Sequence, residues 1–422
     1  MKAYVEVYGC SANVADYEMI LGLLKEAGFR FVDNEYESDV NLIVTCTVKS
    51  PTSQRMVYRI KKLTDTKKPL VVAGCMPKTE RYLIEKINPY ASLVGPNAIN
   101  KVVDATLGAI HGHKSVFIED LNLPKLNLPR VRVNPVIGII EIANGCLSRC
   151  SFCQVKIARG DLVSYPISDI VREARNSIVE GCRELWITSQ DNGCYGMDIG
   201  ANLPQLLNEL CKIEGDFYIR VGMMNPRFTL KILDELIDVF KNQRIFKFLH
   251  LPLQSGSNRI LRLMKRGYTS EEFMYIVERF KGEIRDLTLS TDVIVGFPTE
   301  GDEDFQMTVD VLERIKPDIT NISRFGARPG TEAALLPQLS NDLIKERSEK
   351  IHQITRRISL ENNKRWVGWH GKVIIDEIVK NGVIGRNFAY KPVFINSQLK
   401  LGEEFDVKIV GASSSCLLGE LD

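Results

Sequence analysis

The stretch that decides the fold runs from residue 136 to residue 153 and reads VIGIIEIANGCLSRCSFC. Its first half is a run of apolar, mostly β-branched residues, which predicts a buried strand. Its second half places Cys146, Cys150 and Cys153 at C-x3-C-x2-C spacing, and Gly145 allows the backbone to turn sharply beside them. Closed zinc and iron–sulfur sites take four ligands, so three thiolates predict a metal centre with an open coordination position. The alternative is a strand-to-helix turn that simply buries three cysteines.

The composition is that of a globular protein with several domains. At about 150 residues per domain, 422 residues predict about three domains. No apolar run reaches the ~20 residues of a membrane span, and the start lacks the apolar region of a secretory signal. We therefore expect a cytoplasmic protein without a membrane contact, whose ten cysteines are reduced metal ligands or buried thiols. The net charge of +2 does not by itself indicate nucleic acid, so any RNA contact must come from local clusters.

Residues 1–120 predict an open parallel α/β sheet, because apolar strand-like runs alternate with amphipathic helical stretches. Each of three runs is followed directly by a cysteine: Cys10, Cys46 and Cys75. Ligands gather beyond the carboxyl ends of parallel strands, so these cysteines are expected to converge on a second metal site. The alternative is three free thiols packed as small apolar residues. Three prolines then mark a linker over residues 121–135.

Residues 135–335 predict a (βα)6 partial TIM barrel. Six strand candidates alternate with helical patterns, two units fewer than a closed TIM barrel needs, and reactive groups are expected at the carboxyl ends of the strands. The strand candidates are 136–141, 184–188, 217–221, 246–251, 288–295 and 319–325. Residues 341–365 predict a charged helix, either a solvated connector or an RNA-facing element. Five short strands within 364–422 predict a small β-barrel.

The three-cysteine loop resembles the cluster loop of the radical S-adenosylmethionine (SAM) superfamily, in which SAM fills the vacant position of a [4Fe-4S] cluster. Phe152 would then cover the adenine, or be a core aromatic residue. Gln190 belongs to a polar run after the second barrel strand, where binding is favoured over packing. Arg220 would hold the carboxylate of SAM, or pair with Asp216 or Glu214.

Two further strand ends carry polar candidates for SAM binding, Gln254 after the fourth strand and Asp292 within the fifth. An acidic residue in an apolar strand needs a partner, which we expect in the site. His250 would be a base or, as is more common for a lone histidine, a structural residue. Cys194 lies in a loop of the same face but stands alone, so we do not count it as a ligand; no general base is assigned.

The whole chain resembles the methylthiotransferases, which join a cysteine-bearing N-terminal domain, a radical SAM partial barrel and a small RNA-binding barrel called TRAM. The loops 158–166, 189–204 and 225–226 resemble the archaeal and eukaryotic branch, which converts N6-threonylcarbamoyladenosine at position 37 of tRNA to its 2-methylthio form. The resemblance implies two [4Fe-4S] clusters and SAM. Cys146, Cys150 and Cys153 would hold the SAM-cleaving cluster, and Cys10, Cys46 and Cys75 the auxiliary cluster.

The resemblance also implies partners: the anticodon loop of tRNA, an electron donor and a sulfur donor. Arg328 is a candidate for contact with the substrate. Residues 366–422 contain six basic and seven acidic residues, so RNA binding by the small barrel would depend on a loop containing Arg386, Tyr390 and Lys391 rather than on bulk charge. Alternative substrates are isopentenyladenosine in tRNA and an aspartate of a ribosomal protein. An alternative of another class is a non-enzymatic RNA-binding protein with structural zinc.

Overall fold

The computed structural model describes residues 1–48, 50–120 and 125–422. The first part of the predicted linker, 121–124, lies outside the described residues. The strands are β1 Lys2–Val7, β2 Arg30–Phe31, β3 Val40–Thr45, β4 Leu70–Gly74, β5 Ser92–Val94, β6 Val116–Phe117, β7 Ile137–Glu141, β8 Ala143–Asn144, β9 Val163–Ser164, β10 Glu184–Thr188, β11 Tyr218–Val221, β12 Phe248–His250, β13 Thr288–Val295, β14 Ile319–Arg324, β15 His370–Val379, β16 Gly382–Arg386, β17 Pro392–Ile395, β18 Glu404–Ala412 and β19 Leu417–Leu421.

The helices follow the same alternation along the chain. They are α1 Ser11–Glu26, α2 Ser50–Asp65, α3 Met76–Thr79, α4 Arg81–Ile87, α5 Val102–Ile110, α6 Gln154–Arg159, α7 Ile167–Val179, α8 Leu203–Cys211, α9 Pro226–Thr229, α10 Leu233–Phe240, α11 Asn258–Leu263, α12 Ser270–Glu283, α13 Asp302–Ile315 and α14 Asn341–Lys364. In the described part of the chain, none of these helices has the length and apolar character needed to cross a membrane.

The N-terminal segment is a parallel sheet with strand order β2-β1-β3-β4-β5-β6. Strands β3 and β4 are buried along their whole length, as expected for parallel strands covered on both faces. Cys46 and Cys75 follow these two strands directly, and Cys10 lies three residues beyond the end of β1. The predicted open sheet is confirmed, and the three cysteines lie at its carboxyl edge.

The central segment contains the predicted six parallel strands in two sheets of order β11-β10-β7 and β12-β13-β14. An isolated parallel bridge between Ile219 and Ile245 lies between the two sheets. Leu185 and Ile187 of β10 pack in the main core with the surrounding helices, whereas Trp186 packs in other clusters. This alternation places Trp186 on the lumen face of a partial barrel, so the predicted α/β architecture is confirmed.

Helix α1 joins the first two segments into one packed unit. Met19 and Ile20 share a hydrophobic core with Ile137 and Ile139 of β7. The helix begins directly after Cys10, so the same packing that buries its apolar residues also sets that cysteine against the barrel.

The C-terminal segment is a closed barrel of order β15-β16-β17-β19-β18, as predicted. It covers the amino ends of the central strands. Arg183, Lys247 and Asp318 each stand immediately before a central strand and each contacts this barrel. Arg183 Nη1 donates to the Gly402 carbonyl at 3.1 Å, the Lys247 amide donates to the Phe388 carbonyl at 2.9 Å, and Lys391 Nζ donates to Asp318 Oδ1 at 2.6 Å.

The loop proposed for RNA contact is part of this interdomain contact. Lys391 is 2% exposed and bonded to Asp318, Tyr390 is 7% exposed among aromatic rings, and Arg386 pairs with Asp376 at 2.7 Å. Each of these side chains has a partner inside the protein, and their contact with tRNA stays a prediction. The charged helix α14 is likewise buried on one face, where Arg347 pairs with Glu300 at 2.7 Å.

Candidate metal and cofactor site

The three N-terminal cysteines converge around one side chain, Asn13 of α1. The sulfurs of Cys10 and Cys75 each lie 3.9 Å from Asn13 Oδ1, and the thiol of Cys46 forms a hydrogen bond with the sulfur of Cys10. Gly9 has a φ of +130°, and a Cβ there would lie 2.7 Å from Cys46 Cβ. Only glycine therefore allows the Cys10 and Cys46 loops to approach each other this closely.

This set contains one sulfur that ionises easily. The hydrogen bond from Cys46 lowers the pKa of Cys10 to about 6, and the charge of Arg159 acts in the same direction. The same bond and burial raise the pKa of Cys46, and burial raises that of Cys75 to about 11. Since thiolates are the form that ligates metals, Cys10 is the member most ready to bind first.

Arg159 links the N-terminal set to the central barrel. It ends α6, directly after the three-cysteine loop, and is 1% exposed. Its guanidinium donates to Asp16 Oδ2 at 2.6 Å and to Glu141 Oε1 at 3.1 Å, and it also contacts Cys75. The chain thus holds a buried positive charge against the sulfurs of the N-terminal set, with two carboxylates keeping it in place.

The second set lies in the loop between β8 and α6. The Ser148 amide donates to Cys146 Sγ at 3.3 Å, and Arg266 Nη1 donates to Cys150 Sγ at 3.2 Å. Desolvation raises the pKa of Cys153 to about 12. Gly145, at a φ of +72°, is required here because a Cβ would lie 1.9 Å from the Asp161 carbonyl oxygen.

Both sets open toward the same end of the barrel. Ser11, next to Cys10, lies 2.9 Å from Thr188 at the carboxyl end of β10, measured between their hydroxyl oxygens. Asn144, two residues before Cys146, donates to Asn97 Oδ1 at 2.6 Å. Arg328, predicted to meet the substrate, is 8% exposed; burial lowers its pKa, and the neighbouring Glu80 and Cys46 act in the opposite direction. Residues of both the N-terminal domain and the central barrel therefore line the carboxyl end of the barrel strands.

The sulfurs of each set are spaced more widely than the ligands of one metal ion. Among the described residues, Cys146, Asp191 and Cys194 form the only group of three histidine, cysteine or acidic ligand atoms that all lie within 4.8 Å of one another. A single zinc, with Zn–S bonds of ~2.3 Å, holds its sulfurs within about 4 Å. A cluster binds its cysteines on separate irons, which suits the wider spacing of the two predicted sets.

Two of the predicted SAM residues carry buried oxygens that have no partner among the described residues, Gln190 Oε1 and Gln254 Oε1. Unpaired buried amide oxygens are rare and favour an absent ligand. Asp292 has the partners we expected: it lies 2.9 Å from His250 Nε2, and Asn321 donates to its other oxygen at 2.9 Å. Phe152 lies edge-on to Phe297 at 6.4 Å between ring centroids, partly buried beside the loop.

Arg220 lies apart from these residues, within an aromatic cage. Its guanidinium carbon is 4.9 Å from the ring centroid of Trp186, 5.0 Å from that of Phe248 and 5.3 Å from that of Tyr390. The predicted alternative pairing with Asp216 is not formed, because Asp216 pairs with Arg183 at 2.5 Å. Contact with the carboxylate of SAM stays a prediction.

Sequence reasoning missed three residues of the site: Arg159, Arg266 and Cys194. The thiol of Cys194 forms a hydrogen bond with Cys146, and this hydrogen bond lowers the pKa of Cys146 to about 6. A signal for Cys194 exists in the sequence, since β7 and β10 were predicted as consecutive strands and the loops that follow them adjoin. No comparable signal marks the two arginines, because the contacts of Arg159 with Asp16 and of Arg266 with Cys150 each span more than 100 residues of sequence.

The fold and the three-cysteine loop define the class of the protein. The model of the Radical SAM superfamily matches residues 140–312, and that of Uncharacterized protein family UPF0004 matches residues 2–95. The class implies a [4Fe-4S] cluster and SAM as cofactors.

Curated relatives then give the family. "Probable threonylcarbamoyladenosine tRNA methylthiotransferase" of Pyrococcus horikoshii is 42% identical, over 100% of this chain and 99% of the relative. The protein of that name from Methanocaldococcus jannaschii is 42% identical over 100% and 97%. The Drosophila melanogaster threonylcarbamoyladenosine tRNA methylthiotransferase is 35% identical over 100% of this chain and 77% of its own length. The chain belongs to the threonylcarbamoyladenosine tRNA methylthiotransferase family.

Solved structures agree on the fold. The radical S-adenosylmethionine methyltransferase TsrM from Kitasatospora setae, with cobalamin and a [4Fe-4S] cluster bound, has a TM-score of 0.59 at 14% identity, over 79% of this chain and 76% of that chain. The cobalamin-dependent S-adenosylmethionine radical enzyme OxsB has a TM-score of 0.51 at 12% identity, over 83% and 56%. At these identities the likeness extends to the fold alone.

Proposed function

We propose that the protein converts N6-threonylcarbamoyladenosine at position 37 of tRNA to its 2-methylthio derivative by radical SAM chemistry. The observation that carries the proposal is the pair of three-cysteine sets opening on one end of the barrel, in a chain that matches relatives of this name along its whole length. A second sulfur-rich site beside the first is what sulfur insertion needs and what SAM cleavage alone does not.

The residues present fit two clusters. Cys146, Cys150 and Cys153 would hold the SAM-binding cluster, and the three N-terminal cysteines the auxiliary cluster. Each set includes a cysteine whose pKa lies near 6, so a thiolate is available at neutral pH. When bound, the clusters and SAM supply the electron, the hydrogen-abstracting radical and the sulfur that the reaction needs.

The protein's own residues supply position and charge. Arg266 and the Ser148 amide donate to cluster-loop sulfurs, contacts that orient the ligands and tune the electron affinity of a cluster. Arg159 places a fixed positive charge beside the N-terminal set. Gln190 and Gln254 offer buried acceptors toward SAM, and Phe152 offers an aromatic face.

The substrate would reach this face from the side of the N-terminal domain, because the C-terminal barrel covers the opposite ends of the strands. Base 37 lies in a single-stranded loop, where a base can leave its stack and enter a pocket. Arg328 Nη2 is buried without a partner among the described residues and lies on the same side as Cys46, which makes this arginine the best candidate to meet the modified base.

The direct test is mass spectrometry of nucleosides from tRNA incubated anaerobically with the reconstituted chain, SAM, sulfide and a reductant. We expect a 2-methylthio product from tRNA that carries N6-threonylcarbamoyladenosine, and none from the same transcript without that group. Product from isopentenyladenosine tRNA instead, or methylthiolation of a ribosomal protein aspartate, would replace the proposed substrate. A protein with zinc and no iron or sulfide would contradict the enzyme assignment altogether.

A further inference from the structure

A buried group outside the predicted ligand sets surrounds Cys146. Cys194 ends the short turn Asn192–Cys194 and is 0% exposed. The sulfurs of Cys146 and Cys194 and a carboxylate oxygen of Asp191 all lie within 4.8 Å of one another. Cys150 and Cys153 are not members of this group, although they share a loop with Cys146.

Asp191 is oriented for a ligand that the chain itself does not provide. It is 2% exposed, and its Oδ1 accepts from the amides of Gly193 at 3.0 Å and Asn225 at 2.9 Å. Its other oxygen, Oδ2, is buried without a partner among the described residues. Two backbone amides thus fix the carboxylate, while an unpaired oxygen remains beside two thiols, an arrangement that is costly unless a proton or a bound cation satisfies that oxygen.

We propose that Cys146, Asp191 and Cys194 bind one thiophilic divalent cation, best zinc, in the chain that has not yet acquired its cluster. Two sulfurs and a carboxylate oxygen are accepted zinc ligands, and three protein ligands leave a fourth position for water. Binding releases to solvent the thiol proton of Cys194 and any proton held by Asp191 or Cys146, and no electron is transferred. Because Cys146 belongs to both sets, the ion and the SAM-binding cluster exclude one another. The inference goes beyond the proposed function and does not depend on the tRNA substrate.

The first test uses Co2+ alone as the probe on the full chain, purified anaerobically without clusters and carrying Cys10→Ala, Cys46→Ala and Cys75→Ala. We expect one Co2+ per chain, with the charge-transfer absorption of two thiolates and displacement by zinc. Cys194→Ala and Asp191→Asn should each weaken binding at least tenfold, whereas Cys150→Ala and Cys153→Ala should not change it. Cys182→Ala, which removes another buried thiol of the same core, is the matched control.

A second measurement uses the chain without the N-terminal substitutions and follows iron loading during reconstitution. Equimolar zinc should lower iron by about four per chain, and Cys194→Ala or Cys194→Ser should restore it. The reconstitution without zinc is the reference: missing iron there contradicts the cluster assignment, whereas iron that zinc leaves unchanged contradicts only the zinc site. Co2+ binding that depends on Cys150, or that survives Cys194→Ala, would overturn this inference.

Discussion

The two contacts of the central barrel with its neighbours both contain apolar residues and ion pairs, but they differ in the largest polar group that each one buries. Against the N-terminal domain it buries a four-residue ion network beside the apolar core: Arg159 and Lys125 lie between Asp16 and Glu141, with all four side chains at most 6% exposed. Against the C-terminal barrel it buries aromatic rings around Arg220, with Phe246 lying 4.8 Å from Tyr390 of that barrel between ring centroids.

The difference indicates which of the two contacts can influence the reactions at the cysteines. A buried ion network gains little net stability over an apolar contact, but it fixes one geometry and places charge where a function uses it. An aromatic contact stabilises through buried area and tolerates small shifts. The network lies beside the cysteines and the aromatic cage lies at the far end of the strands, so the two contacts should respond differently to substitution.

Arg159→Met should give the largest effect. It keeps much of the volume but leaves Asp16 and Glu141 with Lys125 as their remaining buried cation, which is expected to cost about 3–5 kcal/mol of unfolding free energy. We also expect the auxiliary cluster to be lost or its reduction potential to fall, because a positive charge beside it is removed. Urea unfolding and a potentiometric titration followed by electron paramagnetic resonance measure both.

The matched control is Arg183→Met, which removes a partly exposed arginine that pairs with Asp216 at the other interface. That variant should retain its iron and its potentials. If Arg159→Met retained both the stability and the potential of the parent, the network would have no role beyond packing.

Tyr390→Ala should give the next effect. The ring is 7% exposed and contacts Phe246, Phe248 and Arg220, so its removal is expected to cost about 3 kcal/mol. Cluster content should not change, because the cage is remote from the cysteines. Limited proteolysis before Trp366 reports how firmly the C-terminal barrel is held, and iron analysis reports the cluster content. Tyr390→Phe is the conservative control. Lost iron in Tyr390→Ala would show that the two interfaces are coupled.

Lys391→Ala sharpens the comparison within the C-terminal contact. The ammonium group donates to Asp318 at 2.6 Å and to Asn363 at 2.9 Å, so its loss should cost about 2 kcal/mol. The salt dependence of tRNA binding should stay as in the parent, since the charge is not available to phosphate. Filter binding at several salt concentrations checks this; a slope reduced by about one would support the predicted contact of Lys391 with RNA.

The last prediction concerns pH. Burial first, and Asp376 second, raise the pKa of Glu184 to about 8 from the ordinary 4.5. The folded protein therefore binds more protons than the unfolded chain between these values, so stability should fall as pH rises from 4.5 to 8 and level off above that. Glu184→Gln stays neutral and should flatten this part of a melting-temperature profile. A parent profile that rises over this range would contradict the assignment.

The sequence predicted the parts of the site that depend on local spacing. The loop at 146–153 and the cysteines that follow the N-terminal strands are readable because parallel strands bring their carboxyl ends to one edge. The same alternation that marks the strands places Trp186 and Arg220 toward the lumen. It does not reveal that Tyr390 of the C-terminal barrel packs against Arg220 and Phe248.

The remaining site residues depend on packing between domains. Arg159 and Arg266 are ordinary basic residues in sequence, and their contacts with Asp16 and Cys150 exist only once separate elements have packed together. Cys194 was set aside because it has no cysteine neighbour in sequence, although the pairing of β7 with β10 brings it to Cys146. Motif spacing identifies ligands within one loop, whereas charges and thiols supplied across an interface require the assembled fold.

The central claim is that the two three-cysteine sets each hold a four-iron cluster. Iron and acid-labile sulfide analysis of the anaerobically reconstituted full chain tests it most directly. We predict about eight irons and eight sulfides per chain, and about four of each in both Cys46→Ala and Cys150→Ala. A parent chain with about four irons, or one whose iron content is unchanged by Cys46→Ala, would contradict the account.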